Sequence, residues 1–341
     1  MRYPFWPSRV FFEPAALSYP RGRELYDLFT QKGLAPQLTA SHNRVTGIPG
    51  KTAREAFMEA KRTLVIGVRR ATRFQTCKPS AHYQLPLATG CPGHCHYCYL
   101  HTTLGKKPYL RAYINVDEIL KRAGAHIKER EPEQTVFEGA AVADPLFVEP
   151  FTGGVSAAIK YFAGSTQGRF RLATKFNTVE PFLGLEHGGR THLRFSVNTA
   201  AVIERFEKGT PSLEKRIAAA RKVAAAGYPT GFIIAPIFLE QGWAENYRAL
   251  LALLRSVTAD YSLPPTFELI THRFTLRAKQ NITAIFPGSG LDMDTERRRF
   301  RCGQFGYGKY LYPLELYREA EAFFRQEISR LFPDSTVEYF V

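Results

Sequence analysis

The chain has 341 residues, 45% of them apolar and 23% charged, which is ordinary for a soluble globule with room for a full core. No apolar run approaches a membrane span, and the opening Met1-Arg2-Tyr3-Pro4-Phe5-Trp6-Pro7 lacks the apolar stretch of a secretory signal, so a cytoplasmic protein is expected. Forty-six Lys and Arg against thirty-one Asp and Glu leave a formal charge of +15, a field that attracts polyanions, nucleic acid first.

Residues 1–60 read as an accessory cap with helical apolar spacing over 23–32 and 53–62. Thr52 and Glu55 stand where a capping box would open the second helix. Gly50-Lys51-Thr52 looks like the end of a phosphate-binding loop, but the upstream glycine is Gly47, not five residues earlier, and that reading fails. From residue 64, short apolar runs alternate with amphipathic helices. Strands are expected near 84–88, 135–142, 170–174, 193–197, 231–237 and 267–271. Helices are expected over 116–129, with Asp117 in its first turn, and over 212–226, closed by Gly227. About six βα units in series predict an α/β fold, a parallel sheet curled into a partial (β/α)6 barrel of the TIM type. Such barrels place their chemistry at the C-terminal strand ends. The barrel is expected over 61–290, and 291–341 should form a basic β-hairpin with a closing helix and strand.

One loop outweighs the rest. Cys91-Pro-Gly-His-Cys95-His-Tyr-Cys98 packs three of five cysteines into eight residues, spaced C-x3-C-x2-C, directly after the first barrel strand. Thiolates at that density are metal ligands. Three of them leave one iron of a [4Fe–4S] cluster open, which separates a reactive centre from a closed structural one. Two other readings stay open: zinc completed by His94 or His96, and a four-ligand structural cluster. Basic residues collect before this loop (Lys61, Arg62, Arg69, Arg70, Arg73, Lys78) and late in the chain (Arg297, Arg298, Arg299, Arg301). The late block runs into Gly303-Gln-Phe-Gly-Tyr-Gly-Lys-Tyr310, where aromatics could stack on bases and arginines hold phosphates.

The run from Leu87 through Cys98 to Gly105 resembles the spore photoproduct lyase family of radical SAM enzymes. So do Thr174-Lys175, Arg194-Phe-Ser-Val-Asn198, residues 218–227, Phe267–Ile270, His272-Arg-Phe274 and Gly308-Lys-Tyr310. The likeness extends from residue 60 to the C-terminus. It implies a DNA-repair lyase that reverses a thymine dimer with a 5′-deoxyadenosyl radical. Cys91, Cys95 and Cys98 would hold the [4Fe–4S] cluster, and Lys175, Ser196 and Asn198 would contact S-adenosylmethionine. Tyr97 and Tyr99 would relay hydrogen, since a phenol is both donor and acceptor on a rigid ring. Damaged DNA, turned out of its stack, would meet Arg273, Arg297, Arg298, Arg299, Arg301, Gln304 and Phe305. An electron donor such as flavodoxin or ferredoxin is implied, and a monomer suffices.

Two departures from the family pattern stand out. The lyases carry a hydrogen-donating cysteine where this chain has Ala141, and a serine where it has Ala143. A tryptophan late in the family pattern is replaced here by Cys302, which becomes the first candidate for the missing donor. These departures suit a divergent paralogue. They keep open a radical enzyme for another lesion or nucleotide, and a non-catalytic DNA-binding protein with a structural cluster.

Overall fold

The computed structural model describes residues 3–302 and 308–341. The chain divides into two compact units, Met1–Gly93 with Thr103–His192, and His94–Thr102 with Leu193–Val341.

The first unit opens with β1 (Arg9–Phe12), α1 (Pro20–Gln31), β2 (Gln37–Leu38), α2 (Ala53–Lys61) and β3 (Thr63–Gly67). The residues expected as a helical cap therefore also supply strands, with β1 lying between β2 and β3 and parallel to both. Thr52 accepts from Glu55 N while the Glu55 carboxylate accepts from Thr52 N, so the capping box forms as expected. All five residues of β3 are buried, as a central parallel strand requires. Next come β4 (Thr76–Cys77), β5 (Ala81–Gln84) and β6 (Ala88–Thr89). The single strand expected over 84–88 is thus split, because Pro86 has no N–H to give a ladder.

Residues 94–102 belong to the second unit and include β7 (His94–Cys95), while α3 (Leu100–Thr103) brings the chain back. The first unit is completed by β8 (Leu110–Tyr113), α4 (Val116–Glu129), β9 (Thr135–Glu138), α5 (Glu149–Thr152), α6 (Gly154–Ala163) and β10 (Gly168–Thr174). Helix α4 has the expected bounds and buries Val116, Ile119, Leu120, Ala123 and Ile127 along one stripe. Its strands pair in the orders β2-β1-β3-β8-β6 and β10-β9-β5-β4.

The second unit holds most of β11 (Thr191–Val197), then α7 (Ala200–Phe206), β12 (Glu207–Lys208), α8 (Leu213–Ala225), β13 (Thr230–Ile237), α9 (Trp243–Val257) and β14 (Thr266–Thr271). After α10 (Leu276–Ile285) come the hairpin strands β15 (Arg299–Cys302) and β16 (Gly308–Leu311), then α11 (Leu314–Leu331) and β17 (Thr336–Phe340). Strands β11, β13, β14 and β17 run parallel in that order. Arg194 and Glu268 form a buried ion pair between β11 and β14, and the Tyr339 hydroxyl donates to the same carboxylate. Among the described residues no helix is long and apolar enough to cross a membrane.

Candidate active site

In the first unit the site is built at the ends of β6, β9 and β10. Gly90 follows β6 with φ +89, a backbone conformation that strains any other residue, and a Cβ there would crowd Tyr109 O at 3.1 Å and Leu110 Cδ2 at 3.2 Å. Its N–H donates to Val142 O at 2.9 Å, and its carbonyl accepts from Asp144 N at 3.3 Å. The segment carrying Ala141 and Ala143 is thereby fixed beside the residue that precedes Cys91. Asp144 is buried. Its carboxylate accepts from Lys175 N at 2.8 Å, from the Thr174 hydroxyl at 2.9 Å and from Leu146 N at 3.4 Å. Burial raises its pKa to about 6, against the pull of those donors. Lys175 is half-buried just past the end of β10. Lys61 is buried at the end of α2 and donates to Cys91 O at 2.6 Å, so it belongs to the cluster loop and not to a solvated basic block.

Cys77 lies half-buried in β4, paired with Ala81 of β5, which runs beside β9. One buried carboxylate joins this hairpin to the Ala141 segment: Glu138 accepts from Ser80 Oγ at 2.8 Å and from Ala140 N at 3.0 Å. Arg171 Nη1 adds a bond to Ser80 O at 2.7 Å.

In the second unit, β7 pairs antiparallel with β12, Cys95 opposite Glu207 and His94 opposite Lys208. The Tyr97 hydroxyl donates to Glu207 Oε1. Burial and the neighbouring carboxylate raise the Tyr97 pKa well above the usual phenol value. Tyr99 is 57% exposed. His96 Nδ1 is 2.8 Å from Ser289 Oγ, and its ring stacks on Phe286 at 4.2 Å, a packing role that competes with service as a zinc ligand. Ser196 is buried near the end of β11, and its carbonyl accepts from Arg216 at 3.0 Å. Asn198 is buried as well: Nδ2 donates to Pro236 O at 2.7 Å, and Oδ1 accepts from Thr199 N at 2.9 Å and Tyr247 Oη at 3.2 Å.

All five cysteines are thiols. Among the described residues no three His, Cys, Asp or Glu side chains converge on a point that would hold one metal ion. A cluster poses a different demand, since each thiolate takes a different iron and the three need not converge. A soft, all-thiol donor set on one loop suits iron–sulfur better than the oxygen-seeking ions.

The predicted DNA-contacting residues separate by exposure. Arg297 and Arg301 are exposed, Arg273 and Arg299 half-buried, and Gln304 and Phe305 lie outside the described residues. Arg298, expected with them to contact DNA, differs from its neighbours. It is buried, donates to His272 O at 3.0 Å and Asp292 O at 3.3 Å, and lies 3.7 Å over the Tyr312 ring. Cys302 is exposed at the end of β15. Sequence reading missed Cys77, Glu138, Asp144, Glu207 and Arg216, and took Lys61 for part of a basic block. Only Asp144 carried a signal, standing three residues after the position of the absent cysteine.

The family model described as spore photoproduct lyase matches residues 5–341. The chain is 48% identical to the spore photoproduct lyase of Geobacillus sp. (strain Y412MC61) over 99% of both chains, and 47% identical to that of Bacillus subtilis (strain 168) over the whole of both. It superposes with a TM-score of 0.96 on a spore photoproduct lyase complexed with dinucleoside spore photoproduct, at 47% identity, covering 99% of this chain and 100% of that one. The same TM-score and coverage, at 48% identity, are found for a doubly substituted lyase, one cysteine changed to alanine and one serine to cysteine, with bound AdoMet and dinucleoside spore photoproduct. The fold is thus the expected α/β partial barrel, and the chain belongs to the spore photoproduct lyase family.

Proposed function

We propose that this protein is a radical SAM lyase that reverses spore photoproduct in DNA to two thymines. The observation that carries the reading is the three-cysteine loop after β6, in a chain matched over its full length by lyases and by a lyase structure holding the lesion. Cys91, Cys95 and Cys98 would hold a [4Fe–4S] cluster, and Lys175, Ser196 and Asn198 would line the S-adenosylmethionine site. When bound and reduced by one electron from a flavodoxin- or ferredoxin-like donor, the cluster and S-adenosylmethionine would supply a 5′-deoxyadenosyl radical. A monomer in the cytoplasm accounts for this activity. Arg273, Arg297, Arg299 and Arg301, with Gln304 and Phe305, are the proposed DNA contacts.

Breaking the bond between the two thymines leaves one as a carbon radical that needs a hydrogen atom. Alanine at 141 has no S–H to give. Cys77 is the proposed donor: its S–H bond would break as a methyl C–H bond forms on the thymine. Tyr99 or Tyr97 would return a hydrogen to the thiyl radical, and the tyrosine would be restored by the hydrogen first taken up into 5′-deoxyadenosine. Two observations support Cys77 over the exposed Cys302. Glu138 ties its hairpin to the Ala141 segment. Also, Cys77 and Ala141 are separated by the same length of chain as the introduced cysteine and alanine of the doubly substituted lyase.

The test is anaerobic incubation of cluster-loaded protein with S-adenosylmethionine, dithionite and DNA carrying spore photoproduct. Thymine release is expected. Cofactor cleavage without thymine would redirect the same radical to another lesion, and absence of cleavage would leave only a DNA-binding protein. Cys77→Ala should still cleave cofactor but accumulate adducts of the unquenched radical, while Cys302→Ala repairs normally. The reverse pattern would make Cys302 the donor.

A further inference from the structure

Glu207 and Arg216 are both fully buried, and their ion pair spans 2.6 Å from Arg216 Nη1 to Glu207 Oε2. Taking two charges out of water costs several kcal/mol per ion, so a lone pair of this kind is poor evidence for stability. This one has an unusual set of neighbours. The backbone of Glu207 pairs with Cys95, and its other carboxylate oxygen takes the Tyr97 hydroxyl. Arg216 reaches Ser196 O at 3.0 Å, Pro211 O at 2.9 Å and Thr210 Oγ1 at 2.8 Å. Two side chains thus tie the cluster loop, the relay tyrosine and the strand end that carries Ser196 and Asn198.

We propose that Glu207, held in place by Arg216, is the positioning residue of the hydrogen relay: it fixes the Tyr97 hydroxyl relative to Cys95 and to Ser196. The inference rests on the radical-lyase reading. Glu207 meets neither substrate nor cofactor and acts through Tyr97. A carboxylate can only accept from the phenol, so the direction of that O–H is set. Hydrogen transfer falls steeply with misplacement, so a tyrosine released from Glu207 passes hydrogen on less often per cofactor cleaved. The cofactor is then consumed with each repair and not regenerated.

Two readouts test this. In the protein without cluster, the resonance Raman tyrosine doublet reports whether a phenol donates to a carboxylate. Glu207→Gln should remove the same strong-donor component that Tyr97→Phe removes. In loaded protein, Glu207→Gln should raise 5′-deoxyadenosine released per thymine by about tenfold, as expected of a displaced reacting group. Tyr97→Phe should do the same, and combining the two should add nothing. If Glu207→Gln leaves Arg216 uncompensated and does not fold, Glu207→Gln with Arg216→Met removes both charges and should show the same uncoupling. A folded variant that couples as tightly as the parent, or an unchanged tyrosine doublet, overturns the proposal. If the parent itself releases no thymine, the lyase reading fails, and the Raman measurement still decides whether Glu207 holds Tyr97.

Discussion

Asp144 accepts the backbone N–H of Lys175 at 2.8 Å, and this one bond joins the segment after β9 to the end of β10. The carboxylate is buried, and its pKa rises from 3.8 to about 6 because desolvation outweighs the Lys175, Thr174 and Leu146 donors. The folded protein therefore binds the Asp144 proton more tightly than the unfolded chain does. The stability tied to that proton is full below pH 3.8 and is lost as pH rises through about 6. Asp144→Asn cannot ionise. Between pH 4 and pH 7 the parent should lose about 2 kcal/mol relative to this variant, most of what a two-unit shift is worth. Urea unfolding at the two pH values checks it. Parallel losses in both proteins would mean that Asp144 does not titrate in this range.

Ala141 and Cys77 make a second pair with a sharp expectation. If Cys77 supplies the hydrogen, Ala141→Cys restores a thiol on the neighbouring segment, and Cys77→Ala should then be tolerated. The double variant is expected to repair with a ratio of cofactor cleaved to thymine released near that of the parent. Product analysis by mass spectrometry reads both. A double variant as uncoupled as Cys77→Ala alone would show that a thiol at 141 does not reach the lesion.

The arginine block should divide along its burial. Arg297 and Arg301 are exposed, and neutralising either should weaken binding to undamaged duplex and reduce the slope of log affinity against log salt by about 1. Arg298 packs under Tyr312 and holds His272 O, so Arg298→Met should instead lower the unfolding midpoint. The loss expected from two unsatisfied carbonyl acceptors and a lost ring contact is about 2–4 kcal/mol. Titrations at several salt concentrations, beside a denaturant curve, separate the two effects. An unchanged salt slope for Arg297→Ala would exclude it from the phosphate contacts.

That division also marks how far the sequence could be read. Helix α4 was legible to the residue, since Val116, Ile119, Leu120, Ala123 and Ile127 repeat at helical spacing behind two acids. The cysteine loop was legible because its spacing is local. Arg298 was not, because three adjacent arginines look alike until the bend before β15 places one of them inside. Cys77 was hidden for another reason: its relation to Ala141 runs through Ser80 and Glu138, partners far along the chain. Glu207 and Arg216 look like ordinary helix-surface charges, and only the pairing of β7 with β12 brings them to Tyr97. What depends on local spacing was visible, and what depends on tertiary pairing was not.

Lys61 offers a final test of the proposed cluster. Its ammonium is buried, donates to Cys91 O at 2.6 Å and lies 5.2 Å from the Phe57 ring centroid. A cluster held by three thiolates gains negative charge on reduction, and a buried cation beside its loop favours that state. Replacing Lys61 by Met keeps the length and apolar stem but removes the charge. The reduction potential should move to more negative values, on the order of 60 mV if the charge is worth one tenfold step in a one-electron equilibrium. Cofactor cleavage should then slow with weak reductants and recover with dithionite. A redox titration followed by electron paramagnetic resonance measures the shift directly. An unmoved potential with a lowered unfolding midpoint would reduce Lys61 to a structural tether of the Cys91 carbonyl.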